Sequence, residues 1–359
     1  MPAITDARAA GGLLCWCRAG FEPDLAAELT ERAAEAGLYG HARAGRGDGY
    51  VLFVGDDRLA AALPWTRLVF ARQSLALLAE LRGVDPRDRI APVLEMLSSS
   101  PPARAYGTLL VEHPDSDAGR PLSALARSFG NALRPALRRH GLLATREDPH
   151  APRLHVGLLA GDHLLLAWSD PARSAPWPMG VPRLRLHAEA PSRSALKLEE
   201  ALLTLLDERE RGRSLRPGMR AADLGAAPGG WTWVLARHGL RVTAIDNGPL
   251  RAHVLETGLV EHLQADGFRW QPPRPLDWMV CDMVEQPSRV ARRMGLWLRE
   301  GWCRHTIFNL KLPMKKRWLE TRRSLEAFEA EAAVPLSLRA RQLYHDREEI
   351  TVHATRLAD

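Results

Sequence analysis

Hydrophobic positions in the first half of the chain fall into short runs separated by amphipathic stretches. Residues 12–17 and 50–54 are compact apolar runs that read as strands. Between them lie a helix-like stretch, Glu22–Ala36, and a Gly/Arg loop at 44–49. The mixture then repeats: strand-like 67–77, helical 86–98, strand-like 106–112 and a helix at about 121–140. His155–Trp168 carries two apolar runs joined by Ala160-Gly161-Asp162, a hairpin signal. One or two small α+β units are therefore expected over 1–168.

Ser169–Arg183 holds four prolines and reads as a linker, placed at 169–185. From 186 to 359 the pattern changes to short apolar runs that end in acids, spaced by helical stretches. Ser192 is placed to cap a helix whose apolar positions 195, 196, 198, 202 and 203 would face a sheet. Ala222-Asp223-Leu224 closes one strand and Arg241–Asp246 forms the next. Asp266 and Asp282 end a third and fourth, and His305–Lys311 is a fifth. Acids at successive strand ends are what an open parallel sheet would present to a ligand. The expected fold is α/β: a Rossmann-like domain with a seven-stranded, mostly parallel sheet, preceded by the α+β region.

Composition adds a partner. The 359 residues carry a net charge of +6, which favours an anionic partner such as RNA. Arg-rich patches at 134–139, 209–216, 289–293 and 315–323 offer phosphate contacts or solvated helix faces. Only four of the 49 basic residues are lysines: Lys197, Lys311, Lys315 and Lys316. In so Arg-biased a chain, a retained lysine suggests work that an always-protonated Arg cannot do. The cysteines at 15, 17, 281 and 303 complete no metal pattern and read as buried free thiols, as expected in the cytoplasm. No apolar signal core or membrane-length run is present, so neither a membrane nor a metal is expected.

The segment Asp223-Leu-Gly225-Ala-Ala227-Pro228-Gly229-Gly230-Trp231-Thr232 narrows the chemistry. Its small residues let a ligand approach the backbone. It lacks the Gly-x-Gly-x-x-Gly of dinucleotide folds and the Gly-Lys-Ser/Thr of phosphate loops. Asp-x-Gly-x-x-Pro-Gly-Gly resembles the S-adenosylmethionine loop of the FtsJ-like 2′-O-ribose methyltransferases. The resemblance implies a cofactor site built from Ser194, Gly225, Ala227, Pro228, Gly229, Gly230, Asp246, Asp266 and Asp282. In it Asp246 would hold the ribose, Asp266 the adenine amine, and Asp282 would stand beside the transferred methyl.

The order Lys197, Asp282, Lys311, Glu349 also matches that family's Lys–Asp–Lys–Glu tetrad, with Glu348 left open as the final member. By the resemblance, Lys311 is the base that takes the proton from a ribose 2′-hydroxyl, positioned and tuned by Asp282 and Lys197. Lys197 would lower its pKa and Asp282 would raise it, so their balance sets the neutral fraction. The Asp/Asn-Pro-Pro-Tyr segment of amine methylation and the Pro-Cys of cytosine C5 methylation are both absent from Cys281–Pro287.

Ala244–Leu250, Cys281–Pro287 and Asn309–Trp318 are similar to the bacterial large-subunit rRNA ribose methyltransferase M family, which methylates a cytidine ribose of 23S rRNA. Ala226 departs from the Cys of related loops. The strand pair at 155–168 resembles the close of a THUMP domain, so 1–168 is expected to be a THUMP-like RNA-binding region. Two alternatives stay open: the same chemistry on tRNA or an mRNA cap, and a catalytically silent RNA-binding assembly factor.

Overall fold

A computed structural model describes residues 8–9 and 11–357. The chain divides into two compact units, 1–182 and 183–359, a division that falls inside the proline-rich segment.

The first unit is built on an eight-stranded mixed sheet. Its strands are β1 (Arg8–Ala9), β2 (Gly12–Trp16), β3 (Gly40–Arg43), β4 (Tyr50–Gly55), β5 (Gln73–Arg82), β6 (Thr108–Glu112), β7 (Arg153–Ala160) and β8 (His163–Ser169). The order is β3-β4-β2-β5-β8-β7-β6, with β1 also paired to β5. Only β6 and β7 pair in parallel. The helix Glu22–Glu35 begins with Pro23 and two acids in its first turn, which suit the positive helix start. It ends at Gly37, whose φ of 68° lets Leu38 N–H reach back to the Ala33 carbonyl (2.9 Å). The helices Ile90–Ser99 and Ser123–Arg139 bury Val93, Leu97, Phe129, Leu133 and Leu137 against the sheet residues Leu109, Leu154 and Leu164.

The expected strand at 67–77 is displaced: β5 starts at Gln73, and 65–67 is a short 3-10 turn. Residues 68–71 are buried and apolar, but they belong to no strand among the described elements. Instead the N–H groups of Val69 and Phe70 donate to the buried Glu28 carboxylate at 2.7 and 3.0 Å. Buried backbone needs partners, and here a side chain supplies them.

The second unit carries a seven-stranded sheet. Its members are β9 (Arg220–Leu224), β10 (Arg241–Ile245), β11 (Val260–Leu263), β12 (Leu276–Cys281), β13 (Cys303–Lys311), β14 (Leu336–Arg341) and β15 (Glu349–Arg356). The order is β11-β10-β9-β12-β13-β15-β14. Strands β9 to β13 run parallel, and β15 runs against both its neighbours, so this sheet too is mixed. The direction of winding reverses between β9 and β12, where doubly wound sheets bind ligands. Helices Ala195–Thr204 and Gly230–Arg237 cover one face, burying Leu198, Leu202, Trp231 and Leu235. Helices Pro287–Arg299 and Arg317–Ala332 add a further packed pair.

Ser192 does not cap the helix Ala195–Thr204. The N-cap is Ser194, without a side-chain cap bond, and the two hydroxyls bond each other at 2.6 Å. Among the described residues no helix is long and apolar enough to cross a membrane, and no cluster of three His, Cys, Asp or Glu is placed to hold a metal.

Candidate active site

The turn from β9 into helix Gly230–Arg237 is held from three sides. Gly225 and Gly229 adopt φ of 77° and 108°, a region that side chains resist. At Gly230 a Cβ would lie 2.2 Å from the Ser194 hydroxyl and 2.6 Å from that of Ser192, so a larger residue would have to displace both. Trp231 Nε1 donates to the Ser194 carbonyl at 3.0 Å, fastening the same contact. Behind the loop, Thr232 donates to the fully buried Asp223 at 2.6 Å. Burial pushes the Asp223 carboxyl up to about 7, against the pull of its Thr232 hydrogen bonds.

Asp246 follows β10 directly. Its two oxygens accept the Ala227 and Gly248 N–H groups at 2.9 and 2.7 Å, fixing the carboxylate against the loop. Asp266 stands three residues past β11, exposed, and accepts the Phe268 N–H at 2.8 Å. Gly225, Ala227 and Pro228 stay half-buried while Ala226 turns inward, which is why any small residue serves at 226.

The four tetrad positions meet at the carboxyl ends of β12 and β13. Lys197 comes from helix Ala195–Thr204, Asp282 from the end of β12, Lys311 from the end of β13 and Glu349 from the start of β15. Lys197 Nζ contacts Asp282 Oδ2 at 3.1 Å and Glu349 Oε1 at 2.6 Å. Lys311 Nζ contacts Asp282 Oδ1 at 2.6 Å and also bonds Glu349 Oε2. Two ammonium groups and two carboxylates thus alternate around a closed square with no net charge. The antiparallel register that sets Lys311 opposite Glu349 makes this possible. Glu348 points elsewhere, into an ion pair with Arg317 at 2.6 Å, so the tetrad's final member is Glu349.

Burial alone would lower the Lys311 pKa, but Asp282 and Glu349 outweigh it and hold the pKa above the usual lysine range. Burial likewise opposes the Asp282 charge, and Lys311 and Lys197 overcome it, holding that carboxyl below its usual range. In the balance left open by the sequence, the carboxylates win. The Cys281 thiol beside the site is buried and pushed up to about 12, which leaves it no nucleophilic role.

Three stretches of the chain match known families. Residues 190–295 match the FtsJ-like methyltransferase family. Residues 11–75 match a domain described as "RlmM ferredoxin-like domain". Residues 88–170 match "Ribosomal RNA large subunit methyltransferase M, N-terminal". Ribosomal RNA large subunit methyltransferase M of Xanthomonas oryzae pv. oryzae (strain MAFF 311018) is 68% identical over 347 residues, covering 96% of this chain and 99% of the relative. The protein of that name from Xanthomonas axonopodis pv. citri (strain 306) is also 68% identical over the same shares. The chain belongs to the ribosomal RNA large subunit methyltransferase M family. A solved structure of TrmN from Thermus thermophilus is a distant likeness at 18% identity, covering 96% of this chain and 99% of that one, with a TM-score of 0.35.

In this methyltransferase, some groups around the square carried no recognisable sequence signal. Asn309 Nδ2 donates to Asp282 Oδ1 at 2.8 Å. Thr351 in turn donates to Asn309 Oδ1 at 2.7 Å, and its hydroxyl also lies 3.0 Å from Asp346 Oδ2. Asn309 and Lys311 alternate with Leu310 along β13, so period-two spacing was the available clue. Lys315 and Lys316 lie exposed, four and five residues past Lys311.

Proposed function

We propose that this methyltransferase modifies the 2′-oxygen of a cytidine ribose in 23S rRNA, with Lys311 as the general base and S-adenosylmethionine held by the β9–β11 strand ends. The chain is an rRNA methyltransferase by family, and the closed square of Lys197, Asp282, Lys311 and Glu349 carries the ribose chemistry. A 2′-hydroxyl needs a positioned acceptor for its proton as it attacks. It has no use for the polar amine cradle or the thiolate of base methylation.

The residues suit the cofactor. Half-buried Gly225, Ala227 and Pro228 leave backbone open, with Ser194 beside them. Asp246 retains lone pairs for ribose hydroxyls, Asp266 an exposed acceptor for the adenine amine, and Asp282 a negative charge toward a sulfonium. When bound, S-adenosylmethionine supplies an electrophilic methyl group on a cationic sulfur. A cation held by Asp282 would oppose the charge on Lys311 and so would favour loss of the lysine proton. Lys197 keeps Glu349 and Asp282 in place as Lys311 changes charge.

The amino-terminal unit is read as the RNA selector, THUMP-like in role. Free buried thiols and an rRNA substrate both suit a reducing cytoplasm. The test is a map of methylated riboses in total RNA from cells with and without the protein. Loss of a single 23S cytidine methylation supports the reading, and an unchanged 23S map removes it. Independently, Asp246→Ala should weaken binding of both the methyl donor and its demethylated product, measured by calorimetry on the folded variant.

A further inference from the structure

The second unit holds another concave site at the opposite edge of its sheet. A cavity of about 560 Å³ lies at the amino ends of β12 and β13. Its size suits a nucleotide-sized ligand, since small-ligand pockets run roughly 300–1,000 Å³. His305 and Lys311 sit six residues apart on β13, so the cavity is about 20 Å from the tetrad.

Its wall is cationic in effect. Arg213, Arg216 and Arg304 line it, and none has an ion-pair partner among the described residues. Of the two acids in the wall, Glu210 is already neutralised. Glu210 is clamped by both guanidinium nitrogens of Arg339 at 2.6 and 2.7 Å. Asp277 accepts the Arg220 backbone N–H at 2.8 Å and keeps its charge. Three guanidinium groups against one unpaired carboxylate leave the cavity net positive, which suits a phosphate, a group that arginine binds in a bidentate fork.

The wall also offers a flat, uncharged surface. His305 lines the cavity and is backed by Trp278, with ring centroids 4.9 Å apart and planes 28° from parallel. His353 backs the wall, only 3% exposed, with its Nδ1 buried and its ring packed on Trp278 at 5.9 Å. Burial holds His305 down to about 4 and His353 to about 3, so both rings are neutral near pH 7. A neutral ring is suited to stacking and hydrogen bonding with a base, which leaves the phosphate to the arginines.

We propose that a nucleotide of the substrate RNA, remote from the methylated ribose, docks in this cavity. Its phosphate sits among Arg213, Arg216 and Arg304, and its base lies against His305. The proposal rests on the reading that rRNA is the substrate. It makes one patch of the Arg-rich 209–216 segment a binding element, completed by Arg304 from a distant part of the chain.

The experiment uses the full chain, an unmethylated 23S rRNA transcript and the double variant Arg213→Ala, Arg304→Ala. Both side chains are exposed, so folding should survive. KM for RNA should rise about tenfold or more, as expected for losing hydrogen bonds to charged groups. The turnover at saturating RNA and the affinity for S-adenosylmethionine should stay within about twofold. The log–log salt dependence of RNA binding should flatten by about 0.7 for each phosphate that is no longer neutralised. Arg213→Lys, Arg304→Lys should restore much of that slope, because the charge returns. An RNA affinity and salt slope equal to wild type would overturn the site. So would a cavity that binds free cytidine monophosphate while RNA binding ignores both substitutions. If wild type itself fails to methylate the transcript, the substrate reading has failed instead, and the two failures are distinguishable.

Discussion

At the scale of single residues, the proposed chemistry turns on how four charges share one square. The pKa of Lys311 is raised by two carboxylates, so neutral base is scarce at pH 7 in the resting enzyme and grows with pH. Single-turnover methylation should therefore climb as pH rises above neutrality. Lys311→Arg and Lys311→Ala should both lose about 100-fold or more, the usual weight of a general base. Near-wild-type activity in Lys311→Arg would make Lys311 a fixed charge and move the base elsewhere. The sign of the linked stability follows from the same shifts. Asp282 has a depressed pKa, so its contribution is full above 3.8 and fades as pH falls through the folded value. Lys311 has a raised pKa, so its contribution is full below 10.5 and fades as pH rises through the folded value. Thermal stability from the square should be level between those limits, and Asp282→Asn should remove the acid-side loss.

The adjacent glutamates offer a further contrast. Glu349→Gln takes away a buried carboxylate shared by two lysines, and a few kcal/mol of stability and most activity should go with it. Glu348→Gln weakens a pair between a half-exposed Glu348 and a largely buried Arg317, away from the square, and should cost about 1–2 kcal/mol at near full activity. Denaturant melts and initial rates on the two variants decide it. The sequence left these neighbours unresolved because a strand's alternation says that they face opposite ways, not which way is inward.

At the scale of elements, β9 and the helix after it depend on a buried acid. Asp223 is raised to about 7, so between pH 3.8 and 7 the folded chain holds a proton that the unfolded chain releases. That group therefore costs stability as pH rises through this window, the reverse of the Asp282 case. Asp223→Asn keeps the shape without the charge. Its melting temperature relative to wild type should improve from pH 4 to pH 8, and a constant difference would contradict the assignment. Most elements near the site were legible because parallel strands buried on both faces read as apolar runs. The misplaced strand at 67–77 shows the limit. Its apolar residues are as buried as expected, but Glu28, some forty residues earlier, accepts the N–H bonds that a neighbouring strand would have taken.

At the scale of the whole molecule, each unit has its own core, and the tetrad lies wholly in the second. An isolated 183–359 chain should bind S-adenosylmethionine normally. If the first unit selects RNA, kcat/KM of that fragment on 23S rRNA should fall about 100-fold or more, because the unit would no longer raise the local concentration of substrate. Full activity from that fragment would remove the selector role from the first unit.

The chain's order of residue types was enough to identify the glycine loop, the acids after β10 and β12, and the two lysines that an Arg-biased sequence retained. These signals are local, since a tight turn demands glycine and a strand end places its last side chain toward the ligand edge. Other features required residues far apart in sequence to meet. The pairing of β13 against β15 chose Glu349 over Glu348 and brought Asn309 and Thr351 behind Asp282. The same folding set two carboxylates around Lys311, and so turned an expected contest of charges into a raised pKa. Distances between such residues come from strand order and register, which no local pattern of the sequence records.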